Sequence, residues 1–454
     1  GVVKKVLKWL GIVVLALVVL VGLLAALPPG RALISEKLTL KRGADAYLIG
    51  YPLVTMERTR ESLTADGTGR PNAFTHARYL PTATNGVNVV APSRDTVYSS
   101  AWLDLRDGPV LIEQPDMDDR FWLMPVLDQW TNVIADPGTR TVGNGPHTFL
   151  ITGPDWTGEA PDEVIEYRSP TNTAWAILRM QTGPGLDAIA DLQDGFRIAP
   201  MADPTAYTEP TVLTAPRNPV DVRSAVDALG AEAFFAELAA ALDGTSFNPA
   251  DPDAEATLER IGVTAGSFDV SALSEAQRAG LADVPGRVLA GMDDAVASGE
   301  GGRISNGWRI PPMILGDYGT QYPVRAVVAR EGLGANLPED AVYASTTVDA
   351  DDRPLEGGKT YRIDMPADMP VKAFWSVTAY DERGNLLRGA DEGLTVSGTA
   401  ESGAQTIVIS PEEPADGPWL RAPDSGRYRL LMRLYWPEPE VLDGQWAFPA
   451  VQPN

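Results

Sequence analysis

Residues 91–105, APSRDTVYSSAWLDL, alternate aromatic and polar side chains with small or apolar ones. Because successive side chains of a strand point to opposite faces, one face would carry four residues: Tyr98, Ser100, Trp102 and Asp104. A face that is half aromatic and half polar is suited to contact with a ligand, although an ordinary amphipathic strand has the same pattern. We select Tyr98 and Trp102 as candidate ligand-binding residues.

A second segment, RFWLMPVLDQWTNV at 120–133, has a similar pattern. Three of its side chains would share one face: Asp128, Trp130 and Asn132. Together with Tyr98 and Trp102, they would line an aromatic and polar pocket suited to a sugar. An aromatic core whose polar edges are satisfied by hydrogen bonds explains these residues equally well.

Asp95 lies at the start of the first predicted strand, on the same face as Leu103 and Leu105. A carboxylate that enters a core there must be paired or hydrogen-bonded, because its burial alone is strongly unfavourable. The alternative is that Asp95 caps a turn through its own backbone, as Asp and Asn residues often do. In the first case it is a candidate ligand-binding residue.

Arginines supply candidate partners for such a carboxylate. Arg179 is in phase with Trp175 and Ile177, so its guanidinium is expected to point inward, and Arg140 lies beside a predicted strand. An inward guanidinium anchors a carboxylate, which belongs either to the protein or to an acidic ligand. The last long strand is expected to turn three arginines towards solvent: Arg427, Arg429 and Arg433.

The composition excludes several classes of active site. His76 and His147 are too few for a three-histidine zinc site, and the absence of cysteine excludes thiolate ligands, disulfides and cysteine nucleophiles. The G-x-S-x-G, H-E-x-x-H, P-loop and dinucleotide-binding motifs do not occur. We expect His147, at a strand start, to make a turn hydrogen bond, and the acidic loops PDMDDR and VDADDRPLEGG to be hairpin turns. No cofactor or metal site is therefore predicted.

The charge balance argues against nucleic acid as a partner. Lys and Arg number 37 against 61 Asp and Glu, which gives a formal charge of −24. So acidic a surface repels a phosphate backbone. The same abundance of carboxylates leaves a pair of acids for glycoside cleavage as the remaining catalytic option.

The N-terminal segment predicts a membrane anchor. Residues 9–27, WLGIVVLALVVLVGLLAAL, are uncharged, and at about 1.5 Å per residue they approach the roughly 30 Å hydrocarbon core of a bilayer. The following AALPPG is a poor cleavage site, so we expect an uncleaved anchor rather than a removed signal peptide. Three lysines would remain in the cytoplasm, Lys4, Lys5 and Lys8, with the rest of the chain extracytoplasmic.

Beyond the anchor, the hydrophobic pattern changes twice. Residues 32–63 predict a helical stalk, and short alternating runs separated by turns continue to about residue 198. Residues 220–300 have apolar residues three and four apart, which predicts helices, before strands return. We predict a mainly β protein with two β-sandwich or jelly-roll domains, divided as follows: membrane anchor 1–30, first β domain 31–205, helical insertion 206–302 and second β domain 303–454.

The chain also carries blocks of residues that resemble a known family. The N-terminal blocks are YPLV at 51–54, PSRDTVYSSAWLDL at 92–105, RFWLMPVLDQWTNV at 120–133, GTRTVG at 138–143 and GPDWTG at 153–158. The C-terminal blocks are VYASTTVDADDRPLEGGKTYRI, FWSVTAYD, PWLRAP and RLYWPEPEVLDGQW. In this order they resemble the bacterial proteins that pair domain-of-unknown-function family 1254 with family 1214.

This resemblance implies two β-sandwich or jelly-roll domains, a helical insertion and a tendency to form homo-oligomers, but no established reaction. Two departures from the family pattern concern possible ligand contacts. Family members usually have Asn before the Asp-Thr pair, where this chain has Ser93 and Arg94, and they often have Asn-Trp-Leu-Pro where this chain has PWLR at 418–421. A ligand role of those asparagines would not carry over to these positions.

Two functions fit these observations. The first is a membrane-anchored extracytoplasmic envelope protein that binds a ligand or partner, a carbohydrate or a small acidic molecule, as a homo-oligomer. The alternative is an extracytoplasmic hydrolase or lyase that cleaves a carbohydrate or envelope polymer through paired carboxylates. A cleft with two unpaired carboxylates about 5–10 Å apart would favour the enzyme, whereas inward acids paired with arginine would argue against it.

Overall fold

The computed structural model describes the backbone of residues 2–65, 67, 69–82, 91–183, 185–217, 220–248, 251–387 and 392–454, and the side chains of these residues from position 12 onwards. Two helices come first, α1 (Val2–Ala26) and α2 (Pro28–Thr64). Prolines begin α2, where a missing N–H costs no helical hydrogen bond. The segments Ile12–Ala26 and Pro28–Thr64 meet at an angle of 85°.

Apolar side chains project from α1 on all sides. The large hydrophobic residues between positions 12 and 27 are 49–64% exposed. Over the described residues, no single helix is long and apolar enough to cross a membrane. Only the bent pair Ile12–Ala26 and Pro28–Thr64 together has the required length and hydropathy. The membrane anchor at 1–30 therefore stays a prediction.

The first β region contains two sheets that share one apolar core. Its elements are β1 (Thr75–Ala77), β2 (Thr96–Asp104), β3 (Val110–Gln114), β4 (Trp122–Leu123), β5 (Val126–Asp128), β6 (Val133–Ala135), β7 (His147–Thr152), β8 (Ile165–Arg168), β9 (Thr173–Gln181), α3 (Leu186–Gly195), β10 (Arg197–Pro200) and β11 (Thr211–Leu213). One sheet has the order β11-β1-β2-β9-β5-β6, with β4 also paired to β9, and the other has the order β10-β3-β7-β8. Val97 and Leu103 on β2 pack in the shared core with Ile112 and Phe149 of the second sheet.

A helical region follows. Its elements are α4 (Val222–Asp227), α5 (Ala231–Leu242), α6 (Asp253–Glu259), the hairpin of β12 (Val263–Thr264) and β13 (Ser267–Phe268), a 3-10 turn at Val270–Ala272, α7 (Glu275–Ala282) and α8 (Val284–Ser298). Ser274 and Gln277 form a capping box at the start of α7, which satisfies backbone N–H groups that have no partner within the helix.

The second β region also contains two sheets around one core. Its elements are β14 (Arg303–Ser305), β15 (Trp308–Ile310), α9 (Tyr322–Gly332), β16 (Ala341–Thr346), β17 (Tyr361–Met365), β18 (Val371–Asp381), β19 (Thr395–Gly398), a 3-10 turn at Ala400–Ser402, β20 (Gln405–Ser410), β21 (Trp419–Arg421), β22 (Tyr428–Pro437), α10 (Pro439–Leu442) and β23 (Val451–Pro453). The sheet orders are β14-β15-β16-β22-β18-β19 and β21-β20-β17-β23. Val342, Met432 and Ile409 belong to the core that both sheets share.

The second half of α2 is a central core helix, so the prediction of a stalk is wrong there. Tyr47 and Leu53 are fully buried, and the Tyr47 ring stacks on Phe234 of α5 with 3.9 Å between ring centroids. Ala326 and Ala329 of α9 join the same cluster. Apolar residues cover nearly the whole circumference of α2 over residues 46–56, and a helix of that kind is buried rather than solvated.

The fold is consequently mixed α and β rather than mainly β. Strands occupy both predicted β regions, and helices occupy the predicted segment between them. The helical layer is larger than an insertion, however, because α2 and α9 join it from the two sides. Parallel pairs occur in three places, β1 with β11, β7 with β8 and β20 with β21, so these sheets are themselves mixed.

Candidate functional site

The aromatic and polar face predicted for 91–105 exists on β2. Antiparallel pairing with β9 places Tyr98 opposite Arg179, and Trp102 opposite Trp175. This face does not look into the core between the two sheets. Instead Trp102 and Trp175 pack against Met56 of α2, with Leu333, just after α9, at the edge of the same cluster. The face is therefore covered in its middle, and its two ends lie in different surroundings.

At the Asp104 end, a cleft of about 680 Å³ lies between α2, α5 and the strands β2 and β9. Three guanidinium–carboxylate pairs line it: Arg58–Glu237 at 2.5 Å, Arg60–Glu57 at 2.8 Å and Arg106–Asp104 at 2.5 Å. Most charges in the cleft wall are thus neutralised by a neighbour, while their remaining N–H groups and oxygen lone pairs stay available to a ligand. Glu61 and Asp243 also line the cleft.

Trp102 lines this cleft and has a buried indole N–H without an acceptor among the described residues. Its ring lies parallel to that of Trp175, with 4.8 Å between centroids. The Trp175 indole N–H donates to Ser100 Oγ at 2.7 Å, whereas the buried Trp102 Nε1 finds no acceptor among the described residues. Buried indole N–H groups normally have a partner, so an acceptor supplied by a ligand would complete this one.

At the other end of β2, Asp95 binds residues of the second β region. Its Oδ2 accepts hydrogen bonds from Ser376 Oγ at 2.5 Å and Tyr435 OH at 3.2 Å, with Arg433 Nη1 at 4.0 Å. The carboxylate is buried. Asp95 is therefore paired, as one reading of the sequence required, and its carboxylate bonds to the second β region instead of capping its own turn.

Arg433 is the cation of this junction, and its predicted solvent exposure is wrong. It is 3% exposed and donates to Tyr380 OH at 2.7 Å and to the Ala91 carbonyl at 3.0 Å. The face of β22 that carries Arg433 is covered by the first β region, since Phe121 packs edge-on against the nearby Tyr435 ring at 5.9 Å. An arginine on a strand face becomes buried when a second layer covers that face.

Arg140 occupies a separate ionic cluster at the same junction. Its Nε donates to Asp340 Oδ1 at 2.8 Å and its Nη2 to Asp136 Oδ2 at 2.5 Å. Asp340 is buried, and the second oxygen of its carboxylate, Oδ2, lacks a partner among the described residues. Arg140 thus joins the two β regions and does not share a pocket with Asp95.

Asp128 and Asn132 form a closed turn. Asp128 Oδ1 accepts the backbone N–H of Asn132 at 2.9 Å, and Oδ2 accepts its side-chain amide at 3.1 Å. Thr131 between them has φ +71°, a conformation that is strained for a β-branched residue. Trp130 points away into the helical core, where its indole donates to the Ser246 carbonyl at 2.9 Å and its ring stacks on Phe247.

Titration of Asp128 is expected to change the stability of the fold. Burial raises the pKa of this carboxyl from 3.8 to about 6 and outweighs the hydrogen bonds from Asn132. The stability that Asp128 contributes is therefore complete below its unfolded pKa and is lost as the pH rises through about 6. The change in unfolding free energy caused by D128N should therefore be more stabilising at about pH 7.5 than at about pH 4.5, by about 2 kcal/mol. Urea unfolding at both pH values measures it.

The exposed Asp155 supplies a control for this measurement. D155N should give the same change in unfolding free energy at both pH values, because its carboxyl is not buried. Equal effects of D128N at the two pH values would contradict the expectation for Asp128.

His76 is buried, and His147 makes a turn hydrogen bond. His76 Nδ1 lies 2.8 Å from Ser99 Oγ, but both residues are buried, and burial lowers the pKa of His76 to about 4. This Ser–His pair is therefore closed to solvent. His147 Nε2 bonds to the Val142 carbonyl at 2.9 Å, which confirms the predicted turn hydrogen bond. Within the described residues, no group of three metal-binding side chains comes together.

The candidate residues therefore do not line one common pocket. Trp102 lines the cleft, Asp128, Asn132 and Trp130 belong to a turn and the helical core, and three lie at the junction of the β regions: Asp95, Arg140 and Arg179. Tyr98 lies beside Arg179. The partners Ser376 and Tyr380 were not predicted, although the alternation of hydroxyl side chains in FWSVTAYD was a usable signal.

Two family models match the chain. The model described as "Protein of unknown function (DUF1254)" matches residues 71–200, and "Protein of unknown function (DUF1214)" matches residues 340–439. The first match covers the strands from β1 to β10, and the second begins just before β16 and ends just after β22. Among proteins with curated functions, no match is found.

Two solved structures align with most of this chain. The alignment with the crystal structure of the VPA0106 protein from Vibrio parahaemolyticus covers 92% of this chain and 100% of that chain. The TM-score is 0.69 and the sequence identity is 21%. The alignment with a putative uncharacterized protein from Burkholderia cenocepacia covers 93% of this chain and 96% of that chain, with a TM-score of 0.44 and 13% identity. The first similarity shows a shared fold.

Proposed function

Because the chain belongs to the bacterial proteins that pair a DUF1254 region with a DUF1214 region, both of unknown function, we propose its role from the site itself. It is a membrane-anchored extracytoplasmic protein that binds a carbohydrate in the cleft between α2, α5 and β2. The observation that carries this proposal is the unsatisfied Trp102 indole N–H beside charge-paired arginines and carboxylates.

The chemistry of the cleft wall favours a neutral, hydroxyl-rich ligand. Arg58, Arg60 and Arg106 each have a carboxylate partner, so none of them attracts an anion strongly. Charged pairs offer many donors and acceptors in a planar arrangement, which suits the hydroxyl groups of a sugar. The indole N–H of Trp102, which has no acceptor in the described part of the chain, adds one donor.

Substitution of Asp104 tests this proposal. We expect the full chain in detergent to bind at least one member of a panel of chito-, cello-, malto- and manno-oligosaccharides in isothermal titration. D104N should weaken that binding about tenfold or more, because it removes a charged acceptor and releases Arg106 from its partner. Asp107 is exposed in the same loop and does not line the cleft, so D107N should bind like the wild type.

Failure of every oligosaccharide in the panel to bind would contradict the carbohydrate proposal. Equal binding by D104N and the wild type would show that a sugar binds elsewhere on the molecule.

A glycoside hydrolase or lyase remains the second candidate, because Glu61 and Asp243 line the cleft without an arginine partner among the described residues. Three of the five acids in the cleft wall are paired with arginine, so only Glu61 and Asp243 remain for a catalytic pair. Because the proposed role is binding without cleavage, we expect no cleavage products when the panel is incubated with the protein. Products that disappear in both E61Q and D243N would favour the enzyme.

The exposed apolar surface of α1 supports the anchor. A helix that is apolar on all sides and packs against little of the protein requires a nonpolar environment. Removal of residues 1–28 should release a folded protein from the membrane fraction, with its β-sheet circular dichroism retained. Aggregation of the shortened chain, or loss of that signal, would show instead that α1 is part of the fold.

Two finer features complete the proposal. Each β region is a sandwich, since its two sheets bury apolar side chains in one shared core. The protein forms a homo-oligomer, as the family resemblance implies, and sedimentation of the protein in detergent measures that state.

A further inference from the structure

Among the described residues, the buried cation Arg179 has no carboxylate partner. It is 6% exposed, and its acceptors are the Asn336 amide oxygen at 2.6 Å, the Gly334 carbonyl at 2.5 Å and the Tyr343 hydroxyl at 3.3 Å. Its Nε–H has no acceptor among the described residues. Buried guanidinium groups are normally paired with an anion, so this arrangement is unusual.

The nearby carboxylate does not supply that anion, because Asp95 serves Arg433. Asp95 Oδ2 lies 4.0 Å from Arg433 Nη1 and accepts from Ser376 and Tyr435. The junction cluster of Asp95, Arg179 and Arg433 thus holds two guanidinium groups and one carboxylate. One positive charge is left over, and it belongs to Arg179.

Two tyrosines contact the Arg179 guanidinium. The guanidinium carbon lies 5.5 Å from the centroid of the Tyr98 ring, and Tyr98 is 37% exposed. Tyr343, on the side of the second β region, is half-buried. The Tyr98 hydroxyl makes no hydrogen bond within the described part of the chain, so only packing holds this ring over the cation. Partly exposed rings of this kind change rotamer readily.

We propose that Arg179 binds the carboxylate of a small organic acid at the junction of the two family regions, with the flat apolar part of the ligand packed on Tyr98 and Tyr343. The Tyr98 ring shifts to admit the acid and then packs against it, while the carboxylate accepts the unused Nε–H and neutralises the excess charge of the junction. Arginine recognises carboxylates through parallel N–H donors, and aromatic rings favour a flat apolar group. This site is separate from the carbohydrate cleft, whose lining includes none of these residues.

Benzoate and benzamide test the proposal, because they share a shape and differ in charge. Isothermal titration of the full chain in detergent should show binding of benzoate and at least about tenfold weaker binding of benzamide. R179K keeps the charge but loses the planar donors, and it should weaken benzoate binding about tenfold. Y98A should also weaken it, because the ligand loses an aromatic contact.

Tyr207 provides a matched control. It is also 37% exposed and lies over an arginine, Arg197, at 4.6 Å, but that arginine is exposed. Y207A and the cleft variant D104N should both bind benzoate like the wild type. If R179K does not fold, Y98A decides the question, since Tyr98 is partly exposed and makes no hydrogen bond to lose.

Three results would overturn the proposal: no binding of benzoate to the wild type, equal affinities for benzoate and benzamide, or unchanged affinity in Y98A. Because D104N reports separately on the cleft, failure here leaves the carbohydrate proposal standing.

Discussion

Replacement of Arg433 by methionine is expected to lower the free energy of unfolding by about 3–5 kcal/mol. Arg433 is the cation nearest to the buried carboxylate of Asp95, with Nη1 4.0 Å from Oδ2. Its removal leaves a buried charge without compensation, which costs far more than the net gain from the intact pair. Chemical denaturation followed by tryptophan fluorescence measures the change.

The effect should be large because Arg433 also joins the two β regions. Besides Asp95, it holds the Tyr380 hydroxyl and the Ala91 carbonyl, and Tyr380 in turn donates to the Pro92 carbonyl at 2.9 Å. Ala91 has φ +51°, so the backbone of this segment is held in a conformation that alanine rarely adopts. Loss of Arg433 removes the contact to the Ala91 carbonyl.

Two further variants make the interpretation specific. Arg427 lies exposed near the start of the same strand, and R427A should change stability by less than about 0.5 kcal/mol. In a double-mutant cycle, the D95N/R433M double variant should lose less unfolding free energy than the two single variants together. The difference should be at least about 1 kcal/mol, because no unpaired carboxylate remains. A cost of R433M close to that of R427A would contradict the role assigned to the pair.

Substitution of Gly280 by alanine is expected to lower the free energy of unfolding by about 2–3 kcal/mol. Gly280 lies on α7, where it packs directly against the backbone of α2. A Cβ atom there would stand 2.2 Å from the Glu36 carbonyl oxygen and 3.0 Å from the Glu36 carbonyl carbon. Backbone atoms cannot rotate out of the way as a flexible side chain can, so α7 would have to move away from α2.

Substitution of Gly291 on α8 should have the opposite effect on stability. Gly291 is exposed in a helix interior, and apart from its chain neighbours and the adjacent backbone of α8, no described atom lies within 4 Å of a Cβ built at this position. G291A should therefore stabilise the protein by about 0.5–1 kcal/mol, since alanine has the higher helix propensity. Thermal and urea unfolding of the two variants should give changes of opposite sign. A stabilising G280A would show that α7 does not pack closely on α2.

The local features of the site could be predicted from the sequence. Alternation placed Tyr98 and Trp102 on one face of β2, and the pairing of β2 with β9 confirms it. The inward direction expected for Arg179 and the turn hydrogen bond of His147 are also confirmed. These features depend on the period of a strand and on a few neighbouring residues, so a short segment contains all the information they require.

The grouping of the candidate residues could not be predicted in the same way. Asp95 accepts hydrogen bonds from residues 281 and 340 positions further along the chain, and Arg140 bonds to a carboxylate 200 positions away. Nothing in the segments that contain Asp95 and Arg140 identifies those partners. The helix α2 likewise reads as a stalk until α5, α7 and α9 are seen to surround it.

By itself, the sequence determined the family, the order of β and helical regions, and which side chains share a strand face, because each of these follows from local periodicity or from blocks of residues in order. Only the tertiary structure decided what each face meets. Arg433 shares the alternation of a solvent-facing arginine, yet it is buried because the first β region covers its sheet. The same packing divides one sheet face into an open cleft at Asp104 and a buried cation at Arg179, since the chemistry of a face depends on the layer packed against it.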